Sequence, residues 1–318
     1  MNNKRIVIFG GGGFIGRHLV RPLARAGWQI AIASRRPERA CQLRLAGVVG
    51  QIVPLAVDVR DAARVHIACQ GADAVVNLVG ILYPRRGAGF DDIHVGAAKT
   101  IAQAAQNTGV KRLVHVSALG ADSQSASAYQ RSKAAGEEAV RGAFESAAIL
   151  RPSLIFGHGD GFFCRFASLL RISPTFPLIG GGGTRFQPVY VGDVAKAIET
   201  LIDPLSTNQG VYQAGGPDIY TFKQMVQMIL ATTGMRRLLI PLPWPLANTV
   251  ASVLEVLPVP ILTRDQVASL RSDNIMVADQ PTIQDLGVPP TSLESMIDGI
   301  LRRFNRRPRI MNDVSPSS

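Results

Sequence analysis

Cysteine is scarce in this chain of 318 residues, which contains only Cys41, Cys69 and Cys164. Their spacing matches neither the paired ligands of a zinc site nor an even-numbered disulfide framework. The sequence therefore predicts no metal site and a reducing compartment.

Aromatic residues are also few, at 6% of the chain. Nucleic-acid binding would need clustered aromatics or a recognition motif, and the sequence has neither, so no nucleic-acid partner is expected. Basic residues outnumber acidic ones, giving a net charge of +11. This excess attracts phosphates, anionic lipids or acidic proteins without distinguishing between them, and it is equally compatible with a basic surface that has no dedicated partner.

Long uninterrupted apolar runs are absent. The most apolar segment, residues 238–262, contains five prolines, and its longest proline-free part, residues 246–257, has twelve residues. About twenty residues are needed to cross a bilayer, so a membrane span is not predicted. Two interpretations stay open: a buried helix of a smaller lobe, or an amphipathic element against a membrane or a hydrophobic partner.

Short runs rich in Val, Ile and Leu alternate with amphipathic stretches from Arg5 to Leu154. The runs lack two-residue alternation, which is typical of strands covered on both faces. The clearest helical pattern spans residues 94–109. This alternation predicts an α/β protein with a Rossmann-type doubly wound parallel sheet. Because the first twelve residues already indicate a strand and a turn, no secretory leader is predicted, and we expect a cytoplasmic protein.

The domain organisation follows from where the pattern changes. Residues 1–157 are predicted to form the dinucleotide-binding core, to which later segments return. Residues 158–301 are predicted to form a smaller mixed α/β lobe on the substrate side. Residues 302–318 carry a basic run, "RRFNRRPR", and then a polar end, which predicts a flexible tail.

The first predicted strand runs into a glycine-rich turn, "GGGGFIG". Gly10, Gly13 and Gly16 give the pattern G-x-x-G-x-x-G between a strand and a helix. In this setting the glycines allow a sharp turn, close approach of a pyrophosphate and tight helix–strand packing. We expect the helix start, including Phe14 and Ile15, to face the phosphates of a dinucleotide.

The second strand ends in "SRRPER", where an acidic residue would hold the ribose of NAD. Ser34, Arg35 and Arg36 stand there instead. A hydroxyl and two guanidinium groups suit a 2′-phosphate, which favours NADP(H) over NAD(H). The alternative is that these arginines are solvated loop residues.

Further candidates lie at the carboxyl ends of strands, where open α/β sheets bind ligands. Asp58 and Val59 follow the third strand and are predicted to bracket the adenine. Leu78, Val79 and Gly80 follow the fourth strand and are expected beside the nicotinamide ribose.

A reactive group is predicted from "YQRSK". Tyr129 and Lys133 are four residues apart and share one face of a helix. A nearby ammonium is expected to lower the pKa of the phenol, which suits proton donation to a carbonyl that accepts hydride. Ser117, at the end of the fifth strand, is predicted to bind the same substrate oxygen.

Together these motifs resemble the short-chain dehydrogenase/reductase superfamily. The segments "LRPSLIFG" and "PVYVGDVAKAI" resemble its extended and atypical branch, which includes nucleotide-sugar epimerases. The resemblance spans roughly residues 4 to 300. It implies a cofactor role for Gly10, Gly13, Gly16, Arg35, Asp58, Lys133 and Pro152, and a catalytic role for Ser117 and Tyr129.

Finer segments, such as "LTRDQVASLRSDNIM" and "QAGGPDIYTFKQMVQMIL", resemble bacterial relatives of the NAD(P)H-binding accessory subunit of respiratory complex I, alpha subcomplex subunit nine. That resemblance implies a tightly bound NADPH and partnership with complex I or with quinone-biosynthesis proteins. It also implies a peripheral position on the inner face of the inner membrane, where residues 238–262 and the basic tail would meet anionic lipid. His94 stands where epimerases commonly have asparagine, which favours the atypical group over sugar chemistry.

Two functions are therefore weighed. The first is an NADP(H)-binding protein of the respiratory membrane or of ubiquinone metabolism, in which the cofactor is structural. The second is a soluble NADPH-dependent oxidoreductase or epimerase that acts on a small carbonyl or nucleotide-sugar substrate, and the intact Tyr129–Lys133 pair is compatible with it.

Overall fold

The computed structural model describes residues 4–84, 87–203, 209–257 and 260–305. Strands and helices alternate in its first half. In chain order they are β1 (Arg5–Phe9), α1 (Phe14–Arg25), β2 (Gln29–Ser34), β3 (Ile52–Ala56), α2 (Ala62–Cys69), β4 (Ala74–Asn77), α3 (Ala97–Asn107), β5 (Arg112–Val116), α4 (Ala128–Ala143), β6 (Ala148–Pro152) and β7 (Ile155–Phe156). A 3-10 helix spans Pro37–Ala46, and a turn of π-helix, Asp91–Gly96, leads into α3.

The second half contains shorter strands. Its elements are α5 (Phe163–Ile172), β8 (Thr175–Ile179), β9 (Arg185–Phe186), β10 (Val189–Tyr190), α6 (Val191–Leu201), β11 (Gly210–Ala214), β12 (Tyr220–Thr221), α7 (Phe222–Thr233), β13 (Leu238–Leu242), α8 (Trp244–Leu254), α9 (Arg264–Ser269) and α10 (Leu293–Leu301). Short 3-10 helices span Gly180–Gly182 and Arg302–Phe304.

A seven-stranded sheet forms the centre, in the order β3-β2-β1-β4-β5-β6-β11. All of its strand pairs are parallel. Alternate residues of β1 enter different cores: Ile6 and Ile8 pack with α1 and α6, whereas Val7 and Phe9 pack with α2 and α3. This covering of both faces confirms the predicted Rossmann-type sheet and explains why its strands lack polar alternation.

A third core, built around Phe163, Phe222 and Ile297, fills the smaller lobe between α5, α7 and α10. The segment after Gly157 also returns to the main sheet, because β11 pairs with β6 and α6 packs on α1. A later segment is hydrogen-bonded to the outer edge of β11, where the Gln213 N–H donates to the Pro281 carbonyl at 2.8 Å. The predicted boundary at residue 157 stays a prediction.

Residues 238–262 do not form one buried helix, so that interpretation is wrong. Residues 238–242 form β13, which pairs with β8, and α8 begins after Pro243. Leu238 is 65% exposed and Val253 is 70% exposed. Pro258 and Val259 lie outside the described residues, as do Arg306, Arg307 and Arg309 of the predicted tail. Among the helices of the described ranges, none has both the length and the hydropathy of a membrane span.

Candidate functional site

The glycine-rich turn lies between β1 and α1, at the centre of the sheet. Gly10 has φ +78, and a Cβ on it would lie 3.1 Å from the Leu78 carbonyl carbon. A Cβ on Gly16 would lie 2.1 Å from the Gly11 carbonyl oxygen. Side chains at these two positions are therefore excluded by backbone, and the turn keeps its main chain open to a ligand.

The start of α1 carries no cap from the protein. Gly13 is the N-cap residue and has no side chain, and no acidic residue lies in the first turn, which includes Phe14 and Ile15. The positive end of the helix dipole and its free N–H groups consequently have no anionic partner among the described residues. This is the arrangement that a phosphate fits.

The end of β2 presents Ser34, Arg35 and Arg36. The Ser34 hydroxyl oxygen accepts from the Arg36 N–H at 3.2 Å, which fixes the turn and leaves the hydroxyl hydrogen available. Both arginines are exposed. The Asp58 carboxylate lies nearby, and its pKa falls to about 2, chiefly through a hydrogen bond from Arg60 and with a smaller contribution from Arg35. A basic patch therefore lies beside the predicted ribose position.

The predicted nicotinamide end lies at the tips of β4, β5 and β6. Leu78 and Val79 are half-buried and follow β4, and Pro152 is buried and ends β6. The Lys133 Nζ lies 3.5 Å from where a Cβ on Gly80 would stand. The absence of a side chain at Gly80 thus opens the space in front of the ammonium. Val59, predicted to lie near the adenine, is buried beyond β3.

The three predicted catalytic residues come from two adjacent elements. Ser117 follows β5, and Tyr129 and Lys133 lie on α4. Lys133 is 5% exposed, and its Nζ donates to the Val116 carbonyl at 3.3 Å, one residue before Ser117. The Ser117 hydroxyl is buried and has no hydrogen-bond partner within the described ranges. Burying a hydroxyl without a hydrogen bond costs free energy of folding, so a bound ligand that offers a donor or an acceptor to Ser117 would be favoured.

The expected effect of Lys133 on Tyr129 is wrong for the chain in this structure. Burial, together with the charge of Asp265, raises the pKa of Tyr129 to about 12. Burial lowers the pKa of Lys133 to about 8, opposed by Glu137. Desolvation and the Asp265 charge therefore set the direction of the shift, and Tyr129 is a protonated phenol at neutral pH.

His94 is fixed beside this pair by two hydrogen bonds. Its Nε2 accepts from the Ile81 N–H at 3.0 Å, and its Nδ1 lies 2.9 Å from the Ser132 hydroxyl. Because that hydroxyl donates to the Tyr129 carbonyl at 2.7 Å, it accepts from Nδ1, which assigns the ring proton to Nδ1. Burial, reinforced by Lys133, lowers the pKa of His94 to about 3. His94 is therefore neutral, and its hydrogen bond to Ser132 links the π-helical turn to α4.

Sequence reasoning missed several polar groups beneath the site. His115 is fully buried on β5 and lies 3.0 Å from the Asn77 amide nitrogen, while its Nε2 has no partner among the described residues. Glu137 on α4 accepts two hydrogen bonds from Arg151, at 2.8 and 2.6 Å. A histidine inside an apolar strand gives no sequence signal of such a contact, because its neighbour comes from another strand.

Asp265 was also missed, although it contacts the start of α4 directly. It lies on α9, far along the chain, and accepts from the Ala128 N–H at 2.6 Å. The only local signal was a Thr-x-x-Gln pattern at Thr263, which indicates a capped helix but not what that helix contacts.

The geometry brings the glycine-rich turn, the basic residues after β2 and the predicted catalytic residues Ser117, Tyr129 and Lys133 to the carboxyl end of the sheet. A dinucleotide fits these residues: the phosphates at α1, the ribose of the adenosine half at β2 and the reactive ring at β4 and β5. The unpartnered Ser117 hydroxyl and the protonated phenol suit a carbonyl oxygen next to that ring. No group of metal-ligating side chains occurs within the described ranges.

Comparison with known proteins identifies the family. The model of the NAD dependent epimerase/dehydratase family matches residues 6–215. Subunit 9 of the alpha subcomplex of mitochondrial NADH dehydrogenase [ubiquinone] 1 from Mus musculus is 38% identical over 301 residues, covering 93% of this chain and 79% of that protein. A ceramide reductase from Caulobacter vibrioides is 32% identical over 258 residues, covering 79% of this chain and 77% of that protein.

The fold is also similar to solved structures. MoeE5 in complex with UDP-glucose and NAD superposes with a TM-score of 0.71 at 20% identity, covering 94% of this chain and 99% of that one. At this identity the similarity establishes the fold alone.

Proposed function

This chain belongs to the NAD dependent epimerase/dehydratase family, and we propose that it is an NADP(H)-binding protein that associates with the NADH–quinone oxidoreductase of the respiratory membrane. The observation that carries the cofactor preference is the pair of exposed arginines, Arg35 and Arg36, directly after β2. The names of the relatives that are mitochondrial NADH dehydrogenase subunits support the association.

The proposed binding mode assigns each part of the cofactor to particular residues. The pyrophosphate is held by the N–H groups after Gly13, and the 2′-phosphate by Arg35, Arg36 and the Ser34 hydroxyl. Lys133 binds the second ribose beside Gly80. NADP(H) would supply a hydride if it reacts; the residues of this chain bind it, orient its ring and exclude water.

The cofactor proposal is tested by titrating the protein with NADPH and NADH and following ligand fluorescence. We expect tighter binding of NADPH, and we expect Arg35→Ala to weaken NADPH binding by about tenfold, as the loss of one charge-assisted hydrogen bond implies, without weakening NADH binding. Arg44→Ala, at an exposed arginine on the 3-10 helix that follows this turn, is the control. Equal affinities for the two nucleotides in the unaltered protein would refute the proposal.

Association with the respiratory enzyme is tested in the organism that carries this chain. Its gene is deleted, and assembly of the NADH–quinone oxidoreductase and the quinone content are measured on native gels and by extraction. The proposal expects a loss of assembled enzyme or of quinone that is restored by the unaltered chain. Unchanged assembly together with unchanged quinone content would contradict it.

A peripheral contact with anionic membrane is part of the proposal. It is supported by the exposed apolar side chains of β13 and α8, which include Leu238 and Val253. Arg171 and Arg236, both exposed, precede β8 and β13, the two paired strands of this surface. Apolar side chains with flanking guanidinium groups suit the headgroup region of an anionic bilayer.

Sedimentation with lipid vesicles tests this contact. We expect binding to vesicles that contain phosphatidylglycerol, weaker binding to pure phosphatidylcholine, and loss of binding in a Val253→Glu variant. Val48→Glu, at an apolar position of similar exposure outside this surface, should bind normally. Equal sedimentation of both variants would remove the membrane contact from the proposal.

Carbonyl reduction is a second candidate function, favoured by the Ser117 hydroxyl, which has no partner among the described residues, and by the name of the ceramide reductase relative. In this function Ser117 and Tyr129 bind the carbonyl oxygen, and Tyr129 donates the proton when the carbon receives hydride. Lys133 holds the ribose and faces the phenol. The substrate class would be a ketone or aldehyde, including keto lipids.

The two functions are separated by the rate at which NADPH leaves the purified protein in the presence of excess NADP⁺. Release within about a second fits a redox enzyme with ordinary turnover, and a screen of carbonyl substrates then follows, with Tyr129→Phe expected to abolish oxidation of NADPH. Release over hours favours the structural role. A Tyr129→Phe protein with full reductase activity would rule out the second candidate.

A further inference from the structure

The first turn of α4, which carries Tyr129, is capped by a carboxylate from a distant part of the chain. The Asp265 carboxylate accepts from the Ala128 N–H at 2.6 Å, from the Ser127 hydroxyl at 3.0 Å and from the Tyr129 N–H at 3.2 Å. The local N-cap, Ser127, makes a longer bond of 3.4 Å to the Gln130 N–H. Asp265 is therefore the main partner of the free N–H groups at this helix end.

The element that supplies Asp265 is itself held in place. The Thr263 side chain and Gln266 form a reciprocal capping box at the start of α9. The Ser269 hydroxyl donates to the Ser127 hydroxyl at 2.8 Å, one turn after Asp265. Residues from both ends of α9 thus contact the start of α4, and these contacts restrict the movement of the Asp265 carboxylate.

Asp265 affects Tyr129 in two ways. Its N–H is bonded to the carboxylate, so the backbone position of Tyr129 depends on α9. The charge of Asp265 also opposes ionisation of the phenol. The neutral ring of His94 also packs against this residue, with its centroid 5.4 Å from that of Tyr129, and Lys133 lies one turn later on the same helix.

We propose that Asp265 is a positioning residue for Tyr129: it fixes the first turn of α4 against the C-terminal segment and holds a negative charge at the end of the helix that carries the Tyr129 phenol. The proposal concerns the candidate site described above and deepens its second candidate function, carbonyl reduction. In this role Asp265 acts through α4, by its contacts with Ser127, Ala128 and Tyr129.

Ionisation of the phenol can be measured without any substrate. The protein is labelled with 3-fluorotyrosine, whose lower phenol pKa brings the titration below strongly alkaline pH, and followed by fluorine NMR. The Tyr129 resonance is assigned by its absence in Tyr129→Phe. We expect Asp265→Asn to move the Tyr129 titration to lower pH by about one unit, because removal of a negative charge favours phenolate.

Two controls accompany this titration. Tyr220 also has a pKa raised to about 12, by burial and by Asp218 and Glu294, and its titration should not move. Asp61 caps α2 by accepting from the Arg64 N–H, and Asp61→Asn should leave Tyr129 unchanged although it also neutralises a helix cap. An unchanged Tyr129 titration in folded Asp265→Asn would overturn the proposal.

Asp265→Ser keeps a hydroxyl that can cap the helix and replaces Asp265→Asn if that variant does not fold. If neither variant folds while Asp61→Asn does, Asp265 is a structural cap only, and the proposal is overturned. This proposal and carbonyl reduction can fail separately. The Tyr129 shift in a protein with no reductase activity would contradict carbonyl reduction alone. Reductase activity without the shift would contradict the positioning role alone.

Discussion

Gly136 on α4 packs against the backbone of His94, and the sharpest prediction concerns this contact. A Cβ on Gly136 would lie 2.2 Å from the His94 carbonyl oxygen. That distance is about 1 Å shorter than a normal van der Waals contact. The π-helical turn and α4 are joined at the same place by the Ser132–His94 bond of 2.9 Å, so neither can move aside without breaking it.

We therefore expect Gly136→Ala to lower the free energy of unfolding by about 3 kcal/mol, the upper part of the usual range for an overpacked contact. The same displacement moves Tyr129 and Lys133 away from Ser117, so NADPH affinity should fall as well. Helix propensity alone predicts the opposite sign, because alanine is favoured over glycine in a helix by up to about 1 kcal/mol.

Urea denaturation followed by circular dichroism measures the change, and the same helix offers a matched control. A Cβ on Gly142 meets nothing within 4 Å, so Gly142→Ala should raise stability by about 0.5 kcal/mol. If Gly136→Ala is as stable as Gly142→Ala, α4 does not pack on the His94 carbonyl as described, and the account of the site that depends on this packing is refuted.

Three further changes test the interior of the site. Ser117→Ala should leave the free energy of unfolding within about 0.5 kcal/mol of the unaltered value in urea titrations, because the hydroxyl has no partner to lose, and a larger loss would show that it is already bonded. Burial and the nearby Lys133 ammonium lower the pKa of His94 and of His115 to about 3 in the folded protein. In the unfolded chain the pKa of these histidines is about 6.5, so below that pH the unfolded state binds more protons than the folded state. Stability should then fall by about 2 kcal/mol between pH 6.5 and 5.5 in paired urea titrations, and a flat profile would contradict neutral buried histidines. Glu137→Gln should cost about 3 kcal/mol by the same assay, because it leaves the half-buried Arg151 without its carboxylate; a change below about 1 kcal/mol would contradict a tight ion pair.

The features that were predictable from the sequence are local ones. The glycine turn at Gly10, Gly13 and Gly16 is defined by residues within seven positions, and the shared face of Tyr129 and Lys133 follows from helix geometry. The strands of the main sheet were recognisable because burial on both faces leaves them uniformly apolar.

The features that were not predictable depend on partners far along the chain. Residues 238–242 form a strand because β8 lies beside them, and no local pattern distinguishes such a strand from a short apolar helix. The direction of the Tyr129 pKa shift was wrong because spacing reveals the neighbouring ammonium but not the depth of burial or the carboxylate of Asp265. The neutral state of His94 likewise follows from its burial and from the charge of Lys133, which only the fold brings near it.

The cap on α4 has a consequence for protein synthesis, in which the chain emerges from the ribosome amino end first. Every predicted cofactor and catalytic residue lies within the first 152 positions, yet the carboxylate that caps their helix is residue 265. A nascent chain can therefore assemble most of the central sheet before the first turn of α4 receives its partner. The start of α4 is completed late in translation, so a product truncated before residue 265 would retain the glycine-rich turn and lack the cap on the turn that carries Tyr129.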